Sequence, residues 1–323
     1  MNSFKNETVK LPLGSVWLMN SISEHKGKQE LYTKQSPQIL KSLVEMALIE
    51  SAESSNRIEG VAVERNRLKP LIIGRSKPHD RPEEEVAGYR RALDLIHKKH
   101  ASLRITPETI KELHRLCRGE IIFKPVSSDK TPAIVEQLCL SYENSVNQLK
   151  YPEIYAVACL VLDFLCIHPF RDGNGRVSRL LTLLALYQHG YQVTKYISLE
   201  RITEQSKETY YESLNKSSQK WHQSKHDIFP WFNYFLGTVL RAYKEFEERA
   251  GSIKPAKGVK TEIITAAIEK EVGEFAISDI ERLCPGISRP MIRVVLENLR
   301  SKGKIEVLGT GRSAHWRKRD NKS

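Results

Sequence analysis

The sequence predicts a mainly α protein: a large helical core with a short extended flap, followed by a small C-terminal winged helix-turn-helix domain. Over residues 36–250 apolar residues recur at three- and four-residue steps, and no alternating strand run of any length interrupts them. Near residue 251 the chain turns to AGSIKPAKG, which reads as an exposed linker over residues 251–259. Residues 260–323 carry three short helical patterns and then two extended pieces around a turn, the element order of a winged module.

Residues 1–35 are set apart as an N-terminal segment. Residues 37–58 place Ile39, Leu40, Leu43, Val44, Ala47, Leu48 and Ala52 on one helical face, with Ser36 and Pro37 at the start and Gly60 as the stop. After a polar loop at 74–82, a helix over 83–100 turns Val86, Tyr89, Leu93 and Ile96 inward, and one opening at Thr106 and Pro107 does so with Ile110, Leu113 and Leu116. A short extended piece at 121–126 follows. Helical periodicity returns over 132–149, 151–167, 175–189 with Gly190 as a stop, 203–215 and 230–249. In the last domain, helices are expected over 261–271, 277–283 and 288–302, with a turn at Pro285 and Gly286, and strands over 304–308 and 314–318 around a turn at 309–312.

A chain of 323 residues that is 40% hydrophobic has material for one large core and a satellite domain. Its net charge of +12 favours an acidic partner such as nucleic acid, nucleotide or a negative protein face. The five cysteines, Cys117, Cys139, Cys159, Cys166 and Cys284, form no CxxC pair and suggest neither a disulfide framework nor a thiolate zinc site. The opening MNSFKNETVK is too polar for a signal peptide. The most apolar stretch, 154–167, is 14 residues long and contains Asp163, against the roughly 20 apolar residues of a spanning helix. A cytoplasmic protein with no membrane partner is expected.

The chemistry concentrates between two apolar helices, in His168-Pro169-Phe170-Arg171-Asp172-Gly173-Asn174-Gly175-Arg176-Val177-Ser178-Arg179. Gly173 and Gly175 let backbone N–H groups approach an anion, and the helix that follows adds its unpaired donors and positive dipole end. Arg176 and Arg179, three residues apart, supply forked donors for further phosphate oxygens. Asp172 is a hard oxygen ligand suited to Mg²⁺. His168 supplies an imidazole, a side chain suited to taking a proton from an attacking hydroxyl. A bare Gly-x-Gly would read as an ordinary interhelical loop capped at Asn174; here base, acid, glycines and arginines coincide.

This segment resembles the Fic family motif HPFx[D/E]GNGRxxR at every specified position. The likeness continues through EEEVAGYRRAL from Glu83, the helix with Leu113 and His114, the segment FKPVSSDKTP, Tyr210-Tyr211-Glu212-Ser213-Leu214 and Pro230-Trp231-Phe232. The resemblance implies an adenylyltransferase that moves AMP from ATP to a Tyr, Thr or Ser hydroxyl of a protein. His168 would be the base and Asp172 would bind Mg²⁺ bridging the α- and β-phosphates. Gly173, Asn174 and Gly175 would hold the phosphates, Arg176 and Arg179 the outer ones, and Phe170 would anchor the loop. Glycine at 175, where a phosphotransferase branch carries lysine, favours AMP transfer. The run from Arg118 directly into Ile121 implies either a flap shorter than the family's usual hairpin or residues missing from the sequence at this point.

Ser55-Asn56-Arg57-Ile58-Glu59-Gly60 resembles the family's inhibitory motif [S/T]xxxE[G/N], carried by Ser55, Glu59 and Gly60. The resemblance implies that Glu59 pairs with Arg179 and takes the donors that a γ-phosphate needs. By itself the segment also reads as a helix end with Gly60 after it. Arg289 and Arg293 on the last helix are candidate DNA contacts, and a dimer or other protein contact is the competing use of that domain. An ATP-sensing regulator, and an enzyme that also removes AMP with Glu59 orienting a water, stand as alternatives. A target protein, the chain itself as acceptor and a homo-oligomer complete the expected partners. His114, His189 and His226 show no metal-ligand spacing and read as structural or solvated.

Overall fold

The most apolar stretch of the sequence becomes the centre of the fold. In the computed structural model Glu153–Ile167 is a helix buried at every position from Ile154 to Phe164, as a helix apolar on all sides must be. Its one acid, Asp163, is fully buried and accepts hydrogen bonds from the backbone and hydroxyl of Ser3 and from Trp221 Nε1. Burial pushes this carboxyl above the usual range, and those donors pull against it.

The structure describes all residues except 6–8, 34–36, 119–130, 253–258, 271–272, 285–286, 310–313 and 320–323. The expected cap at Ser36, the extended flap at 121–126, residues 123–130 of the FKPVSSDKTP segment, most of the linker, the turn at 285–286 and positions 310–312 of the last turn lie outside the described residues. The chain divides into two units, Met1–Gly251 and Ser252–Ser323. Among the described residues no helix is long and apolar enough to cross a membrane.

The helices of the first unit are α1 (Leu13–Thr33), α2 (Pro37–Ile58), α3 (Arg65–Ile72), α4 (Arg81–Lys99), α5 (Pro107–Arg118), α6 (Thr131–Asn147), α7 (Glu153–Ile167), α8 (Asn174–Gln188), α9 (Leu199–Gln205), α10 (Lys207–Ser218) and α11 (Phe229–Ser252). Asp80 caps α4 by accepting from Glu83 N–H at 2.9 Å, and Pro82 sits in its first turn. Thr106 does the same for α5 through Thr109 N–H at 3.3 Å. Trp231 of α11 reaches across to α7 and donates to the carbonyl of Ala158 at 3.0 Å.

Three expectations change. The helix expected over 203–215 is two helices, α9 and α10, broken at Ser206, whose hydroxyl donates to Ile202 O and meets Tyr234 Oη. That local bond competes with helix continuation. α1 fills most of the segment set apart at 1–35; its sequence carries Gly14 and Gly27 and lacks a continuous apolar stripe. α3 was also unassigned, because Pro70 lies within it.

The second unit contains α12 (Val259–Lys270), α13 (Ile277–Leu283) and α14 (Arg289–Ser301), with strands β1 (Glu274–Ala276), β2 (Ile305–Leu308) and β3 (His315–Lys318). The strands form one antiparallel sheet in the order β1-β3-β2, with Trp316 of β3 opposite Phe275 on one side and Val307 on the other. β1 is an addition to the expected elements, three residues being too few to show alternation. Phe275, Ile292, Leu296, Ile305 and Trp316 share one buried cluster that closes helices and sheet together.

Candidate active site

The loop between α7 and α8 is held by its own side chains. α7 ends at His168, which takes the left-handed conformation (φ 52°), with its N–H on Phe164 O at 3.0 Å. A non-glycine residue there is strained, and such strain gathers at functional sites. The turn carries the chain out of the core, leaving the imidazole exposed. Phe170 then returns to the core and stacks on His114 of α5, with ring centroids 3.8 Å apart. Asn174 closes the loop with two bonds to one residue: its Oδ1 accepts from Phe170 N–H at 3.0 Å and its Nδ2 donates to Phe170 O at 2.6 Å. What Asn174 turns outward is therefore its backbone. His114 Nε2 lies 2.9 Å from Asp172 O; a carbonyl only accepts, so this nitrogen carries the proton.

The two glycines do different work. Gly173 precedes α8 in the left-handed region (φ 85°), which a side chain would strain. Its N–H donates to Asp172 Oδ1 at 2.6 Å, and the rest of that carboxylate is exposed at the loop's mouth. Gly175 stands in the first turn of α8, and a Cβ there would collide with Glu59 Oε1. The carboxylate of Glu59 thus lies against the glycine backbone at a helix N-terminus, where an anion is favoured.

Glu59 arrives from the end of α2. The N–H groups of Val61 and Gly60 return to the carbonyls of Asn56 and Arg57, and Gly60 takes φ 81°. This Schellman pattern points the next side chain off the helix end. Arg179 Nη2 donates to Glu59 Oε1 at 2.8 Å and to Ser55 O at 2.9 Å, while its Nε donates to Ser55 Oγ at 2.8 Å. Arg179 is 8% exposed, with buried Tyr210 beside it. Arg176 goes elsewhere: at 1% exposure it donates to Glu85 Oε2 of α4 at 2.7 Å and to Asn56 Oδ1 at 3.4 Å. Burial pushes the Cys117 thiol to about 12, so it is no nucleophile here.

The structure therefore gathers His168, Asp172, Gly173, Asn174, Gly175, Arg179, Ser55, Glu59 and Gly60 around one loop, with Arg176 in the layer beneath. Arg289 and Arg293 belong to the other unit. Residue reading overlooked Glu85 and Asn56 and passed over the contact His114 makes. Glu85 had a signal, since it stands four residues before Tyr89 on the inward stripe of α4; His114 had the same, four after Ile110. His189 meets Tyr142 Oη and His226 meets Ser3 Oγ, each at 2.9 Å. Among the described residues no three His, Cys, Asp or Glu side chains gather as a metal cluster.

Residues 95–186 match the Fic/DOC family model, and residues 260–319 match the model described as transcriptional regulator DIP2311-like, C-terminal domain. A Fido domain-containing protein of Dictyostelium discoideum is 37% identical over 78 residues, which are 23% of this chain and 54% of that protein. The match thus spans about half the length of the curated relative. A Fic family protein from Desulfovibrio desulfuricans superposes with a TM-score of 0.60 at 20% identity, covering 98% of each chain. A Fic domain containing signaling protein from Bacteroides thetaiotaomicron gives 0.61 at 20% identity over 72% of this chain and 99% of the other. The core has the Fic fold.

Proposed function

We propose that the chain is a protein adenylyltransferase held back by its own Glu59. The observation that carries this reading is the seat of the Glu59 carboxylate, against Gly175 and on Arg179, with an exposed histidine at the other end of the same loop. A site that binds one anion at a helix N-terminus is built to take another. The fit to ATP and Mg²⁺ rests on that glycine cradle and on an exposed carboxylate, Asp172, beside it; Mg²⁺ there would neutralise phosphate charge. His168 takes the proton of a target hydroxyl, whose oxygen bonds to the α-phosphorus as the bond to the β-phosphate oxygen breaks and pyrophosphate leaves. Arg179 steadies the outer phosphates once Glu59 has left it. The fixed guanidinium of Arg176 holds α8 in place from below.

Two substitutions test the reading in opposite directions. With α-labelled ATP and a cell lysate, Glu59→Gly raises incorporation into protein, this chain included, on the order of a hundredfold, the factor expected for a misplacement of about 1 Å. His168→Ala abolishes incorporation but leaves ATP affinity largely intact. Full transfer by the His168 variant, or no gain from Glu59→Gly on any acceptor, overturns it.

For the second unit, the exposed face of α14, with Arg289, Arg293 and Val294, favours a macromolecular partner, and we take DNA as that partner. A domain model described as part of a transcriptional regulator supports this. Salt-dependent binding of the full chain to genomic fragments is its test.

A further inference from the structure

The end of α2 is held from a side that the Glu59–Arg179 pair does not involve. A helix leaves its last carbonyls without intrahelical partners. In α2 the Schellman bonds use those of Asn56 and Arg57, and the next one, Ile58 O, accepts from Lys207 Nζ at 2.8 Å. Lys207 is the first residue of α10, immediately after the break at Ser206. On the α9 side of that break Glu204 takes Arg57 in a paired contact, with Nε 2.7 Å from Oε1 and Nη2 2.9 Å from Oε2. The corner between α9 and α10 thus grips the two residues that precede Glu59.

The same corner is fixed to the core. Ser206 Oγ meets Tyr234 Oη of α11 at 2.9 Å, and Tyr210, one turn into α10, is buried against Trp231 and beside Arg179. Had residues 203–215 formed one straight helix, the chain would not turn at this point. The break sets Lys207 where a cation meets a helix C-terminus, an arrangement favourable by itself.

We propose that Lys207 is a positioning residue for inhibition: by capping Ile58 O it holds the α2 end in the one orientation that keeps Glu59 on Arg179 and over Gly175. This rests on the reading of Glu59 as an inhibitory group. Lys207 touches neither Glu59 nor Arg179 through any hydrogen bond described, so its effect runs through the helix end. Loosening that end lets the Glu59 carboxylate leave the cradle more often, and ATP finds its outer-phosphate donors open.

The test is a cycle of full-length variants, reading incorporation from α-labelled ATP and MgATP into total protein of a lysate, with melting curves as a check on folding. Lys207→Met raises incorporation about fivefold over wild type, equivalent to roughly 1 kcal/mol at 1.4 kcal/mol per decade. Lys207→Arg, which still donates to Ile58 O, stays at the wild-type level. In the Glu59→Gly background Lys207→Met adds nothing, because there is no carboxylate left to position. Wild-type incorporation by Lys207→Met alongside a strong gain from Glu59→Gly overturns the positioning role and leaves the inhibitory reading standing. An equal gain in both backgrounds also overturns it, since Lys207 then acts on substrate. Silence of Glu59→Gly removes the inhibitory reading and this proposal with it.

Discussion

Both units carry exposed ion pairs, but among the described residues the first also sends charged pairs inward. In the first, charged groups descend into the core: Arg176 and Glu85 pair with side chains 2% and 5% exposed, and Arg179 meets Glu59 just above them. In the second, the ion pairs lie in solvent, Arg289 with Glu281, Arg300 with Glu297 and Arg317 with Glu306. Buried charges are expensive unless paired, and here each guanidinium keeps one buried nitrogen, Arg176 Nε and Arg179 Nη1, without a hydrogen-bond partner. Exposed pairs contribute little and leave their charge available to a partner. One unit thus uses charge to hold a site in shape, and the other displays it; there Lys and Arg outnumber Asp and Glu by fifteen to nine.

The comparison breaks first at Glu85. Replacing it with Ala leaves the Arg176 guanidinium buried without its carboxylate, and removing one member of such a pair typically costs about 3–5 kcal/mol. Chemical denaturation of the full chain should show this loss in the transition of the first unit, accompanied by loss of label transfer as α8 shifts. A loss below about 1 kcal/mol would class the pair with the exposed ones.

A second effect comes from a half-buried neutral group. His97 Nδ1 of α4 lies 2.9 Å from Tyr187 Oη, and desolvation, with Lys195 and His100 nearby, pushes its pKa down to about 4. The unfolded chain takes up this proton near pH 6.5 while the folded one resists. Stability from this residue is therefore fully present above about pH 6.5 and falls away toward pH 4, by ~3 kcal/mol at the limit of 1.36 kcal/mol per unit. Melting temperatures of wild type and His97→Asn across pH 4–7 check it; parallel curves would remove His97 as the cause.

How much of this was legible in the sequence depended on how far each feature is local. The candidate loop is contiguous, and the pattern of its glycines, acid, histidine and arginines suggests a phosphate site without any tertiary knowledge. Helix periodicity placed α2, α4, α7 and α8 within a few residues. What stayed hidden is relational. Arg176 and Arg179 look equivalent at a spacing of three, and both meet the end of α2, yet only Arg176 also reaches Glu85 of α4 while Arg179 takes Ser55 and Glu59. The break at Ser206 stayed hidden because a serine among helix formers carries no stop signal, and its second contact, Tyr234, lies 28 residues away. Pairing of β1 with β3 joins positions about forty residues apart, and a three-residue strand has no pattern of its own.

The exposed pairs of the second unit set the smaller effects. Glu306, in reach of both Arg317 and Arg319, is held below the usual carboxylate range, first by its hydrogen bond from Arg317. In such an exposed group that shift is screened, and Glu306→Ala is expected to leave stability nearly unchanged. A larger loss would show that this unit, too, relies on charge for its shape.

The last and smallest effect concerns what the displayed charge is for. On α14 the residues Ile292, Val295, Leu296 and Leu299 face inward, which turns Arg293 and Val294 to solvent. Arg289 is already shared with Glu281 at 3.6 Å, whereas Arg293 has no ion pair among the described residues. A guanidinium with no internal partner gives up least on meeting a phosphate, and each phosphate neutralised releases condensed counterions. Arg293→Ala should therefore weaken binding of the full chain to genomic fragments at low salt and lower the slope of log affinity against log salt by about 1. Arg289→Ala should do less, because Glu281 already offsets its charge. Titrations at several salt concentrations separate the cases. If both variants keep the wild-type slope, α14 does not meet phosphates. If no salt-sensitive binding occurs at all, the face of Arg293 and Val294 is a protein contact instead.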